Sequence, residues 1–284
     1  MLKRLALVTL ALLAATTATA VPASAAPTGE VVYTTRGTGK VLALTFDDGP
    51  TAAVTPGLLD LLREHRIRAV FCLTGTTATA APALVKRIVA DGHPLCNHSY
   101  AHEDLSVLSP ADIRANLTAT DAAIRQAAGD PALPIPYFRA PFGSWGGGLP
   151  DIAASLGHSN LGWSVDPRDW DGSPAPVLVD RLTADAFPRA VILSHDGGGD
   201  RTPTLAAYRE LIPRWKSEGY TFDLPALTGG PYPPACTAPT WQRNGTYVGG
   251  TRVSQDGKLY QANWWTRSER PATSPWTWTN LGAC

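Results

Sequence analysis

The 284-residue chain carries no net charge, because 24 Lys and Arg balance 24 Asp and Glu. No global positive field exists to gather nucleic acid or an anionic membrane, so recognition must come from shape and specific contacts. No Cys-x-x-Cys spacing occurs among the four cysteines, which argues against a cysteine metal site. Beyond the N-terminal segment no apolar run is long enough to cross a bilayer. That segment starts with Lys3 and Arg4, continues as an apolar run from Leu5 to Ala15, and reaches a signal-peptidase-like Ala23-Ser24-Ala25. Residues 1–26 are therefore expected to be a signal peptide, and the mature chain secreted, extracellular and free of the membrane. An uncleaved anchor is the competing reading, disfavoured because no stop-transfer pattern follows.

Secretion permits disulfides, and four cysteines allow three pairings. Pairing neighbours, Cys72 with Cys96 and Cys236 with Cys284, is the simplest scheme. Cys72 and Cys96 each sit on a short apolar run that reads as a strand, while Cys236 and Cys284 bracket the end of the chain.

From Val41 to about Leu224, strand-like runs alternate with helix-like stretches. Strands are expected at Val41–Phe46, Ala69–Leu73, Tyr137–Arg139, Asn160–Val165, Ala190–Ser194 and Tyr220–Leu224. Helices are expected at Pro56–His65, Pro82–Ala90, Pro110–Ala128 and Thr204–Glu218. In the third of these, Ile113, Leu117, Ile124 and Ala128 recur at helical spacing, with Pro110 at the start and Gly129 just past the end. Repeated strand–helix units predict an α/β fold with a mostly parallel sheet, either a barrel or an open doubly wound sheet. Asp47-Asp48, His98, Arg139, Asp166 and Asp169, and His195 all fall just after a strand. Polar groups at so many strand ends favour a distorted (β/α) barrel, whose active sites form on that rim. The α/β domain is set at residues 38–226. A Pro/Gly linker, 227–235, leads to a small all-β domain, 236–284, which holds five of the nine tryptophans. So small a core needs a staple, which Cys236–Cys284 would supply.

Asp47 and Asp48 are adjacent at a strand end, so the two carboxylates can take different roles; a solvated Asx turn is the plain alternative. His98 and His102, four residues apart, can meet one metal ion if the segment is helical or tightly turned. With a carboxylate from another strand they make a two-His, one-carboxylate set that suits zinc, with other divalent ions such as cobalt open. Alone, Arg139 could be a structural ion-pair partner and His195 a satisfied core histidine.

Five segments in order, Thr45-Phe46-Asp47-Asp48-Gly49-Pro50, His98-Ser99-Tyr100-Ala101-His102, Arg139-Ala140-Pro141-Phe142, Asp166-Pro167-Arg168-Asp169-Trp170 and Leu193-Ser194-His195, resemble the polysaccharide deacetylase (NodB-homology, carbohydrate esterase family four) domain. The resemblance spans Val41 to Leu224, roughly two thirds of the chain. It implies a metal held by Asp48, His98 and His102, and Asp47 as the base that deprotonates the attacking water. It implies His195 as the acid for the leaving amine, Arg139 beside Asp47 keeping it ionised, and Asp169 orienting His195. Trp170 and Leu193 would wall the acetyl methyl, and the Phe142 N–H would help stabilise the oxyanion. These roles match what amide hydrolysis needs: an activated water, an oxyanion site, and an acid separate from the base.

The segment with Trp241, Tyr247, Ala262-Asn263-Trp264-Trp265-Thr266 and Trp276 resembles carbohydrate-binding modules of families five and twelve, whose members mostly bind chitin. Asn263 stands where their A-K-W-W-T-like run has Lys. The resemblance implies sugar contacts from Tyr247, Trp264 and Trp265, and leaves Trp241, Tyr260 and Trp276 mostly to packing. Together these features predict a monomeric, metal-dependent deacetylase of a polysaccharide, with chitin favoured. Peptidoglycan deacetylase and acetylxylan esterase are alternatives, because fold does not set substrate. A catalytically dead chitin-binding protein is disfavoured, since every ligand and the base are present.

Overall fold

The structure is a computed structural model that describes residues 26–229, 238–248, 251–255, 258–263, 265–274 and 276–283. The expected signal peptide and linker fall almost wholly outside these residues, and Trp264, Cys236 and Cys284 lie outside them too.

In chain order the α/β region comprises β1 Val31–Val32, β2 Val41–Asp47, α1 Thr55–His65, β3 Val70–Leu73, α2 Gly75–Ala80, α3 Pro82–Ala90, β4 Leu95–Asn97 and α4 Pro110–Ala128. It continues with β5 Tyr137–Phe138, α5 Leu149–Ser155, β6 Ser159–Leu161, α6 Ala175–Asp185, β7 Val191–His195, α7 Thr202–Ser217 and β8 Thr221–Phe222. The strands run parallel in the order β1-β6-β5-β4-β3-β2-β7, with β8 beside the start of β2. The sheet curls into a distorted barrel. It closes through the chain beyond β6, where the Ser164 N–H donates to Val191 O at 2.9 Å and the Leu193 N–H to Val165 O at 2.9 Å.

Strand alternation sorts the side chains. Along β2, Leu42, Leu44 and Phe46 join the core beneath the helices, with Leu58, Leu62, Tyr208 and Leu211. Ala43 falls in the smaller cluster with Val70, Cys72, Cys96, Tyr137, Leu161 and Val191, inside the barrel. Two-residue spacing then carries Thr45 and Asp47 up the inner face to the rim. Every residue of β2 is buried, as a strand covered on both faces requires.

Cys72 and Cys96 are direct partners across β3 and β4 and form a disulfide. Helix α4 has the expected bounds: Ser109 Oγ accepts from the Asp112 N–H, and Gly129 takes φ 72 just past the end. Strand β6 stops at Leu161, short of the expected Val165. The carbonyls of Leu161 and Gly162 accept instead from Arg139, at 3.1 Å each. The sheet begins at Val31, ahead of the expected boundary at residue 38. Its far side holds the chain beyond 226, with the Thr228 N–H donating to Ser159 Oγ at 3.0 Å.

The C-terminal region is small and all-β. Strands β10 Arg252–Gln255, β11 Lys258–Ala262 and β13 Trp278–Ala283 form one antiparallel sheet, and β9 Thr246–Tyr247 pairs with β12 Thr266–Arg267. Val253, Tyr260, Ala262 and Trp278 make its core.

Candidate active site

At the top of the barrel a cavity of about 830 Å³ is lined by Asp47, Asp48, His98, His102, Trp170, Leu193 and His195 among others. Asp47 ends β2 on the inner face. Its Oδ1 accepts from Arg139 Nη1 at 2.7 Å, and its Oδ2 lies 3.6 Å from His98 Nε2. Arg139 is fully buried, and Thr45 Oγ1 and the carbonyls of Leu161 and Gly162 take its remaining bonds. Such a guanidinium is fixed in place, and it offers Asp47 one charge-assisted bond.

Asp48 takes φ 70, which breaks the strand alternation so that both carboxylates reach one cavity. Its Oδ1 lies 3.6 Å from His98 Nε2 and 3.5 Å from His102 Nε2, and is buried with no hydrogen-bond partner. One donor atom from each of the three residues lies within 4.8 Å of the others. An orphaned carboxylate oxygen facing two imidazole nitrogens fits a cation, which would satisfy it. His98 Nδ1 meets the Arg139 carbonyl at 2.8 Å, so Nδ1 carries the proton and Nε2 keeps its lone pair towards Asp48. Burial pushes His98 below the usual histidine range despite the nearby carboxylates, so the ring is neutral, as a ligand must be.

The two histidines sit on a tight turn, not a helix. Ser99 and His102 adopt φ 63 and φ 60. Glu103 Oε2 closes the turn by accepting from Ser99 Oγ at 2.9 Å and the Ala101 N–H at 2.8 Å. Asn97 anchors it from below: its Oδ1 accepts from the Ser99 N–H, and its Nδ2 donates to Asp121 on α4.

His195 ends β7. Its Nδ1 meets Asp169 Oδ1 at 2.7 Å, while Asp169 Oδ2 accepts from the His195 N–H and from Thr204 Oγ1, each at 2.8 Å. Burial opposes a charged ring here, but the Asp169 bond and the fields of Asp169, Asp47 and Asp48 outweigh it, and the His195 pKa is raised. Asp166, at the start of the same segment, accepts from the Arg168 N–H and lines the cavity. Trp170 is half-exposed and Leu193 buried, both on the cavity wall. Phe142, at φ 59, sets its ring edge-on to His102 with centroids 4.5 Å apart.

Several cavity residues escaped the sequence reading: Thr74, Thr76 and Thr77 around α2, Trp163, Gly198 and Arg201. The glycines after His195 were the available signal. A Cβ on Gly198 would strike Asp48 Oδ2, so only glycine lets this loop lie against Asp48. Arg201 had no signal. It is buried and donates to the carbonyls of Gly197, Gly198 and Asp169, joining that loop to the His195 partner.

Residues 34–161 match the family model for polysaccharide deacetylase, and residues 240–277 that for carbohydrate-binding module family 5/12. A chitooligosaccharide deacetylase of Sinorhizobium fredii is 37% identical over 62% of this chain and 86% of its own. A peptidoglycan-N-acetylglucosamine deacetylase of Bacillus cereus is 33% identical over 69% of this chain and 91% of its own. The chain belongs to the polysaccharide deacetylase family. Its relatives are hydrolases that act on the carbon–nitrogen bond of N-acetyl groups. A carbohydrate esterase family 4 pseudoenzyme from Bacillus anthracis also shares the fold, with a TM-score of 0.63 and 27% identity over 69% of this chain and 67% of that one. Fold alone therefore does not make a deacetylase of this family active, and the argument rests on the residues in the cavity.

In the C-terminal module of this polysaccharide deacetylase, Trp265 is 62% exposed. Tyr247 is half-buried: its ring packs edge-on to Trp278 and its hydroxyl accepts from the Gln242 N–H at 2.6 Å. Tyr260 is buried and Trp241 half-buried in the module core. Trp276 departs from expectation. It was assigned to packing, yet it is 84% exposed, because Trp278 fills the core in its stead.

Proposed function

We propose that the chain is a secreted, zinc-dependent N-deacetylase that acts on N-acetylglucosamine units of chitin or chitooligosaccharides, leaving glucosamine and acetate. One observation carries the reading: an Arg-held carboxylate, Asp47, and an Asp-held imidazole, His195, share one cavity with the Asp48–His98–His102 cluster. That pairs a base with a separate acid, as hydrolysis of an amide requires.

Asp48, His98 and His102 would hold the ion; two imidazoles and a carboxylate suit zinc, and cobalt is the other divalent ion such donors would take. Bound there, it supplies positive charge that activates water near neutral pH and stabilises negative charge on the acetyl oxygen. Asp47 accepts the proton of the attacking water, with Arg139 holding its other oxygen still. The water oxygen bonds to the acetyl carbon. As the carbon–nitrogen bond breaks, His195 Nε2 gives its proton to the sugar nitrogen, so the amine leaves neutral and acetate remains. Asp169 holds the ring for that transfer. The Phe142 N–H would add a donor to the acetyl oxygen, and Trp170 and Leu193 would receive the methyl group.

The polymer is argued from two supports. A module of family 5/12 would hold the enzyme on an insoluble glycan and raise local substrate concentration, and the Sinorhizobium relative is named for chitooligosaccharides. The Bacillus cereus relative favours peptidoglycan as the second reading. Secretion is supported by the N-terminal segment, and among the described residues no helix is long and apolar enough to cross a membrane. The deacetylase unit would run from about residue 31 to 228, with the module behind a short linker and the chain acting as a monomer. Acetate release from chitin oligomers, acetylxylan and peptidoglycan, with and without chelator and added zinc, tests this. Activity on xylan alone, or activity that survives the chelator, would overturn it.

A further inference from the structure

Trp276 and Trp265 are the two most exposed tryptophans among the described residues, at 84% and 62%. The module has a small core, and its other described aromatics serve it, with Tyr260 and Trp278 buried and Trp241 and Tyr247 packed against them. Leaving two indoles in water is a cost that folding does not explain, and large exposed apolar groups mark interaction sites.

Trp276 is held at its backbone and free at its ring. Strands β11 and β13 pair Ala262 with Trp278, and the ladder runs on as the Asn263 N–H donates to Thr277 O at 2.8 Å. Asn263 Nδ2 then donates to the Trp276 carbonyl at 2.9 Å, and Asn263 Oδ1 accepts from Thr279 Oγ1 at 2.6 Å. Trp265 follows Asn263 by two residues and Trp276 precedes Trp278 by two, so both leave from the same end of this strand pair. Asn263, which departs from the Lys of the resembled motif, thus acts as a clasp between the two tryptophan-bearing segments. A fixed backbone under an exposed ring loses little entropy on binding, and an indole offers a wide apolar face with two rotatable bonds.

We propose that Trp276, together with Trp265, forms a sugar-stacking face of the module, with Asn263 as its positioning residue. The occupant is a chain of β-linked pyranose rings, whose C–H faces are apolar and uncharged. This rests on the chitin reading above for the identity of the sugar. The match of residues 240–277 to a carbohydrate-binding module favours a glycan over a protein partner for this face.

Retention on insoluble chitin, purified peptidoglycan and cellulose, measured for the full chain and its variants, tests the assignment. Trp276→Ala should weaken retention about tenfold or more, the loss usual for a truncated tryptophan anchor. Trp276→Tyr should restore most of it. Asn263→Ala should weaken it by a smaller factor while leaving the ring in place. Neither change should alter kcat/KM on a short soluble oligomer or the thermal unfolding midpoint. Retention of Trp276→Ala equal to the unaltered chain would overturn the proposal, as would an unaltered chain retained by none of the three polymers. Retention on peptidoglycan but not chitin, lost in Trp276→Ala, would keep the stacking face and sink the chitin reading instead.

Discussion

Asp169 grips His195 at two points: its Oδ1 meets the ring Nδ1 at 2.7 Å, and its Oδ2 accepts from the His195 backbone N–H at 2.8 Å. The second bond fixes the residue and the first fixes the ring. Since Thr204 also donates to Oδ2, the carboxylate is itself immobile. The opposite side of the cavity repeats the logic, with buried Arg139 pinning Asp47. Each reacting group is thus set by a partner that cannot move.

The dyad sets a pH limit. Burial disfavours a charged His195, but Asp169 and the more distant Asp47 and Asp48 outweigh it. The folded pKa therefore lies above the ordinary value near 6.5. A donor must be protonated, so activity should fall as pH rises through that raised pKa. Asp169→Asn removes the largest favourable influence. The alkaline limb of the kcat profile should move to lower pH, and kcat should drop about a hundredfold or more. An alkaline limb that stays in place would exclude His195 as the donor.

Asp47→Asn separates base from ligand. Asparagine still offers an oxygen to Arg139 but cannot take a proton. Acetate release should fall by about 10²–10⁴, while metal content, read by atomic absorption, stays at the level of the unaltered chain. Asp48→Asn should lose both. If Asp47→Asn also came out without metal, Asp47 would belong among the ligands.

Much of this site was legible because strand ends have a fixed direction. Once Val41–Phe46 reads as a buried parallel strand, the next residues must emerge at the rim. The helices bounded by a cap and a glycine, such as Pro110–Ala128, were legible to the residue. Other parts were not. Helix α2, Gly75–Ala80, has no apolar stripe and forms under a Thr74 cap. Strand β6 ended early because Arg139 claims two carbonyls, a contact that no local pattern announces. Arg201 and Trp163 reach the cavity from loops, where side-chain direction is set by tertiary packing. Trp276 misled for a related reason: in a tryptophan-rich strand, one-residue spacing decides which ring fills the core, and here Trp278 does.

The Cys72–Cys96 bridge links β3 to β4 inside the barrel, closing a loop of sequence separation 24. Loop closure of that length contributes about 3 kcal/mol through the unfolded chain. In a domain of this size that corresponds to roughly 10 °C in the unfolding midpoint. The double change Cys72→Ala, Cys96→Ala should show that drop by calorimetry. Since Asp47 is the register partner of Cys72, and His98 follows Cys96 by two residues, acetate release should fall as well. A midpoint within a degree or two of the unaltered chain would mean the barrel does not depend on the bridge.

Asp196 gives a different pH dependence, in stability. Its Oδ2 accepts from Thr55 Oγ1 at 2.5 Å, its Oδ1 is buried without a partner, and Gly49 leaves it room only by lacking a Cβ. Burial raises its pKa to about 7; the Thr55 bond opposes this and Asp47 and Asp48 add to it. In the unfolded chain the same carboxyl titrates near 3.9. As pH rises from about 4 to 7, the unfolded chain releases this proton before the folded one does, so stability is lost across that window. The loss is roughly 4 kcal/mol at most, from about three units at 1.36 kcal/mol each. Asp196→Asn keeps the shape and cannot ionise. Urea unfolding at pH 5 and pH 7.5 should show the unaltered chain losing stability between the two, and the variant losing less. Equal pH dependence in both would mean that Asp196 is ionised in the folded state across this range, balanced by charge held at the Asp48 cluster.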